Sequence, residues 1–65
     1  MRIDHFTANY MKEDNMDTCF THINIQNSAN FSAALASAYT NVTTFLTNNN
    51  GYVLSSLNYM GKDDV

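Results

Sequence analysis

The hydrophobic period of this chain changes once, near Gln26, and that change limits what it can fold into. "TCFTHINIQ" (Thr18–Gln26) alternates, with Cys19, Thr21, Ile23 and Ile25 on one side and Phe20, His22, Asn24 and Gln26 on the other. Period two is the pattern of a strand, and Thr, Ile and Phe suit one. Beyond it, Phe31, Leu35, Ala38, Val42 and Phe45 step by four, three, four and three. That spacing makes an apolar seam along a helix. Ala34 and Leu46 widen the seam, and Tyr39 flanks it. Ser28, or alternatively Asn30, is the expected N-cap. Asn50-Gly51 ends the helix, because Gly suits the left-handed residue that follows one. The expected helix covers 28–49, roughly 30 Å at the standard rise. Its second half, Thr40, Asn41, Val42, Thr43 and Thr44, consists of poor helix formers. Packing along the seam must therefore hold it, and Leu35, mid-seam, is expected to be among the most damaging positions to truncate.

The segment before Thr18 supplies a partner strand. Phe6, Ala8 and Tyr10 alternate with His5, Thr7 and Asn9, which predicts a strand over 1–11. Ile3, Phe6 and Tyr10 also fit a helix, but a strand can pair with 18–26 around the acidic turn "KEDNMD" at 12–17. Placing Phe6 opposite Ile23, Ala8 opposite Thr21 and Tyr10 opposite Cys19 gathers the apolar residues on one face, and a one-residue slip would scatter them. After the helix, residues 52–60 are apolar on both parities: Val53, Leu57 and Tyr59 against Tyr52, Leu54 and Met60. A strand wetted on one side would not need both. Residues 61–65 are expected to be a frayed acidic tail. The predicted fold is a single small α+β domain of order β-β-α-β. A helix covers one face of a three-stranded, mostly antiparallel sheet.

Charge decides what the second face can do. No Asp, Glu, Lys or Arg stands between Thr18 and Gly61. Ser, Thr and Asn interrupt this run too often for a membrane-spanning helix, and no signal peptide is expected at the start. With a net charge of -3 and three basic residues, the chain lacks the cations that phosphate binding needs. Neither nucleic acid nor an anionic membrane is an expected partner. The sequons at Asn30 and Asn41 are read as chance, given the many Asn, Ser and Thr. Cys19 is the only cysteine, so no disulfide forms within the chain, and a lone thiol suits a reducing, cytoplasmic setting. At 65 residues a core is marginal, and small folds without disulfides often rely on oligomerisation. Interface cores are depleted in charge. The expected oligomer is a dimer with Ile3, Phe20, His22, Tyr52, Leu54 and Met60 at its interface. The outer helix face, Ser32, Ala33, Ala36, Ser37, Thr40 and Thr44, is equally uncharged.

Catalytic chemistry finds little support. Cys19 and His22 are three apart, so on a strand they point to opposite faces and cannot share a metal. His5 and His22 can be diagonal neighbours, yet zinc needs three or four ligands. Cys19 is expected to pack inward as a small hydrophobe. Glu13-Asp14 and Asp63-Asp64 lack the fixed geometry of an acid/base pair. Gly51 and Gly61 are the only glycines, so no phosphate-cradling loop exists. The chain is not expected to be an enzyme, and no metal or cofactor is expected. The expected function is protein binding, as an oligomeric adaptor or inhibitor, with Glu13, Asp14 and Asp17 at the hairpin tip facing the partner. Its size fits a phage or mobile-element product. The alternative is a small-molecule binder with a polar pocket at the subunit interface.

Overall fold

The computed structural model describes residues 1–14 and 17–65. Among these the elements are β1 (Arg2–Lys12), β2 (Thr18–Gln26), α1 (Phe31–Asn48) and β3 (Tyr52–Asp64). β1 lies in the middle of a three-stranded antiparallel sheet of order β2-β1-β3, which is the expected small α+β architecture. The hairpin register is the one the apolar pattern demands: Phe6 faces Ile23, Ala8 faces Thr21 and Tyr10 faces Cys19. Asn15 and Met16, part of the expected acidic turn, lie outside the described residues.

α1 starts later than its sequence suggests. β2 stays paired through Gln26, and the Asn27 amide donates to the Arg2 carbonyl at 2.8 Å. The chain is therefore still committed to the sheet just before Ser28. Asn30 is extended, and its side chain accepts from the Ala33 amide at 2.9 Å, so Asn30 and not Ser28 is the N-cap.

The core lies between α1 and one face of the sheet. It consists of Phe6, Ala8, Tyr10, Ile23, Ile25, Ala34, Ala38 and Val42. Three of these are alanines, whose small side chains let the helix backbone approach β1 closely. Aromatic rings close the two ends. Tyr10 stacks on Phe45 at 3.8 Å between centroids, and Phe6 lies 5.1 Å from Tyr59 and 6.4 Å from Phe31. The seam is centred on Ala34, Ala38 and Val42. Leu35, expected at its middle, is only half-buried, because the helix turns its alanine stripe toward the sheet. The Tyr10 hydroxyl, buried among these rings, has no partner among the described residues.

β3 departs from simple alternation, and the reason explains its apolar residues on both parities. Its register with β1 slips between His5 and Phe6 and again between Asn9 and Tyr10. Each slip leaves one extra residue on β3: Met60 in the first and Ser55 in the second. A bulge of this kind reverses which parity faces the core. Tyr52 and Leu54 therefore sit opposite Lys12 and Tyr10, while Leu57 and Tyr59 sit opposite Ala8 and Phe6. All four lie on the helix side. The expectation that Tyr52 and Leu54 belong to the open face is corrected by these slips; both side with the core.

The tail expected to fray is also paired. β3 continues to Asp64, which faces Arg2, and the Val65 amide donates to the Met1 carbonyl at 2.8 Å. The N-terminal ammonium in turn donates to the Val65 carbonyl. Gly61, at φ +101°, supplies the backbone conformation that carries the strand past the bulge.

Candidate interaction surface

The face of the sheet away from α1 gathers Ile3, His5, Thr7 and Asn9 from β1, and Phe20, His22 and Asn24 from β2. Met60, pushed out by its bulge, joins them. Phe20 is 70% exposed and Met60 62%, both high for large apolar side chains. His5, Thr7, Phe20, His22, Met60 and Asp63 line a shallow depression of about 380 Å³. Of the six residues expected at an oligomer interface, Ile3, Phe20, His22 and Met60 share this open face. Tyr52 and Leu54 do not.

His5 stands at the centre. Its Nδ1 lies 2.8 Å from Asn24 Oδ1 and its Nε2 2.8 Å from Asp63 Oδ2. These two contacts tie all three strands together across the open face. The His22 ring lies 5.5 Å from the His5 ring, the diagonal relation expected for this register. Asn9 donates to Ser56 Oγ at 3.1 Å, and Asn58 donates to the same oxygen at 3.3 Å. The polar side chains of this face are thus largely engaged with one another, and the apolar ones are left outward.

Cys19 pairs with Tyr10 on the helix side, and His22 pairs with Thr7 on the open side, so the two cannot meet. Cys19 is half-buried against the core. Among the described residues, no three of His, Cys, Asp and Glu converge as metal ligands do.

The acidic tip is braced on both sides. The Lys12 amide donates to the Asp17 carbonyl at 2.8 Å, and the Glu13 amide donates to the Gly51 carbonyl at 3.2 Å. The Lys12 ammonium lies 5.5 Å from the Tyr52 ring centroid. The side chains of Glu13, Asp14 and Asp17 are exposed. At the other end of the molecule, Asp63 pairs with His5, and Asp64 lies 3.5 Å from the Lys62 ammonium.

One polar cluster was missed by sequence reasoning. Asp4 is fully buried on the helix side and accepts two hydrogen bonds from Arg2, at 2.9 and 3.0 Å. It also accepts one from the Tyr59 hydroxyl at 2.8 Å. The bonds from Arg2, more than any other influence, hold the Asp4 carboxyl below the usual carboxylate range. The same carboxylate raises the Tyr59 phenol above its ordinary value. The signal was present, since Arg2 and Asp4 are two apart on one strand and so share a face. Tyr59 could be added only once the register of β3 on β1, which sets Tyr59 opposite Phe6, was known. This cluster braces the fold and faces away from the open surface.

Among the described residues, no helix is long and apolar enough to cross a membrane. Compared with family models, curated proteins and solved structures, the chain matches none.

Proposed function

We propose that this protein acts by binding another protein, as a small homo-oligomer, with the open face of its sheet buried between protein surfaces. The observation that carries this reading is the joint exposure of Phe20 and Met60 on a face where His5, Asn9, Asn24 and Asp63 are engaged in hydrogen bonds across the sheet. An exposed apolar pair of this kind, with Asp63 at His5 as the one carboxylate lining the depression, resembles the apolar centre and polar surround of an interface. The uncharged outer side of α1 supports the same reading. Five of its Thr and Asn side chains, from Thr40 to Thr47, donate back to carbonyls four residues earlier, which uses one donor of each within the helix. A two-fold dimer is the simplest closed assembly. A single half-buried thiol suits a reducing interior. Light scattering and native mass spectrometry across a concentration series test the proposal. Phe20→Ser combined with Met60→Ser should weaken assembly by tenfold or more while leaving the fold intact. A monomer at every usable concentration would sink it.

In this reading Glu13, Asp14 and Asp17 face the partner. They lie on a tip anchored by two strands and by the turn before β3, and a basic target would be drawn to them mainly through its association rate. A second reading, a small-molecule binder, draws on the depression beside His5 and His22, which a second subunit would close. Native mass spectra that carry an additional small mass on the oligomer would favour it over the first.

A further inference from the structure

The outer edges of β2 and β3 are built differently. β3 carries two bulges, Gly61 and the charged residues Lys62, Asp63 and Asp64. Bulges, glycine and charge are the features that keep an edge strand from pairing with another chain. β2 has none of them. It runs for nine residues in unbroken register with β1 and contains no charged residue, no glycine and no proline. Among the described residues no other strand pairs on its far side.

The space beside that edge is open. A depression of about 310 Å³ is lined by Thr21, His22, Ile23 and Asn24 on the strand and by Asn41, Thr44 and Phe45 on α1. Four consecutive strand residues of both parities line it, and none from β1, which places it along the outer edge. α1 flanks the edge without covering it.

We infer that β2 pairs antiparallel with β2 of a second copy, joining two three-stranded sheets into one of six strands. A second copy is the occupant that the strand's own sequence accommodates. Antiparallel pairing about a two-fold axis requires a segment to be compatible with its own reverse. An uncharged strand brings no like charges together when it does so. The register that pairs all nine residues sets Thr18 opposite Gln26, Phe20 opposite Asn24 and His22 opposite itself. It keeps both open faces on one side and both helices on the other. Thr21 and Ile23 of each copy then enter the gap beside the other copy's helix. This contact is separate from the open face, which stays available on the enlarged sheet.

The test uses the full chain, with isotope-labelled and unlabelled copies mixed and nuclear Overhauser effects filtered for contacts between molecules. Contacts from Phe20 to Asn24 and from His22 to His22 of the other copy are expected, with slow hydrogen exchange along both edges of β2. His22 is exposed in the single chain, so His22→Lys should leave the fold intact and raise the dimer dissociation constant roughly fivefold by setting like charges opposite each other. An unchanged constant would overturn the register. Intermolecular contacts confined to Phe20 and Met60 would overturn edge pairing and leave the open-face reading standing. Contacts confined to β2 would do the reverse, and a monomer would remove both.

Discussion

At the scale of single residues, position relative to the sheet outranks hydrophobicity. Phe6 is fully buried on the central strand and touches rings from α1 and β3, whereas Leu35 lies half-buried at the margin of the helix seam. Phe6→Ala should cost about 3–5 kcal/mol and Leu35→Ala no more than about 2 kcal/mol. Urea titrations of the two variants check the order, and a larger loss at Leu35 would mean that assembly buries it further. The Asp4 cluster makes a second residue-scale prediction. The folded-state pKa of Asp4 is lowered, first by its bonds to Arg2. Its contribution to stability is therefore present above the ordinary carboxylate range and is lost as the pH falls through the lowered value. Tyr59→Phe removes one donor to that carboxylate and should move the acid-unfolding midpoint to higher pH. Tyr59 itself is raised, so its contribution is present below the ordinary phenol range and lost as the pH rises through the raised value. In alkaline titrations the wild type should lose stability toward that of Tyr59→Phe.

At the scale of elements, β3 and α1 break ordinary rules in ways that the neighbouring chain explains. β3 is the longest strand, and its two slips let it follow β1 over the whole length while four of its apolar residues stay on the core side. Gly61 makes one slip feasible. A Cβ at that position would meet nothing within 4 Å, so the cost of Gly61→Ala is conformational alone. That cost should be about 1–3 kcal/mol, read as a lower melting midpoint with earlier hydrogen exchange at Lys62–Asp64. α1 consists largely of residues with weak helix propensity and is held by the sheet beneath it. Thr43 is exposed, and its hydroxyl bonds back to the Tyr39 carbonyl at 3.0 Å. Thr43→Ala should stabilise the fold by about 0.5 kcal/mol through propensity, measured by thermal melts. A loss at that position would show that the outer helix face is covered in the assembled protein.

At the scale of the whole molecule, the shape is elongated, 41 × 18 × 15 Å, with one layer of helix on one layer of sheet. Such a thin body buries a limited core, and much of its apolar surface remains outside. If copies associate, folding and assembly share one equilibrium. The melting midpoint should then rise with protein concentration in the wild type and less steeply in the Phe20→Ser, Met60→Ser variant, where only the pairing of β2 edges remains. A midpoint independent of concentration in both would show that a single chain is sufficient.

The element order, the hairpin register and the central role of Phe6, Ala8 and Tyr10 follow from local periodicity, because side-chain alternation and helical spacing are properties of the chain alone. So does the opposite placement of Cys19 and His22, which needs only the pleat of a strand. The open-face residues from β1 and β2, Ile3, Phe20 and His22, were legible for the same reason. What periodicity could not supply was anything that depends on a distant partner. The slips of β3 arise from its fit to β1; the one at Ser55 puts Tyr52 and Leu54 on the core side with Leu57 and Tyr59, and the pairing of Tyr59 with Phe6 brings its hydroxyl to Asp4. The tail is ordered because Arg2 lies opposite Asp64 and Met1 lies beside Val65, contacts between the two ends of the chain. The helix faces the sheet with alanines instead of Leu35 because close approach over Ala8 needs small side chains, and that spacing exists only once helix and sheet have met.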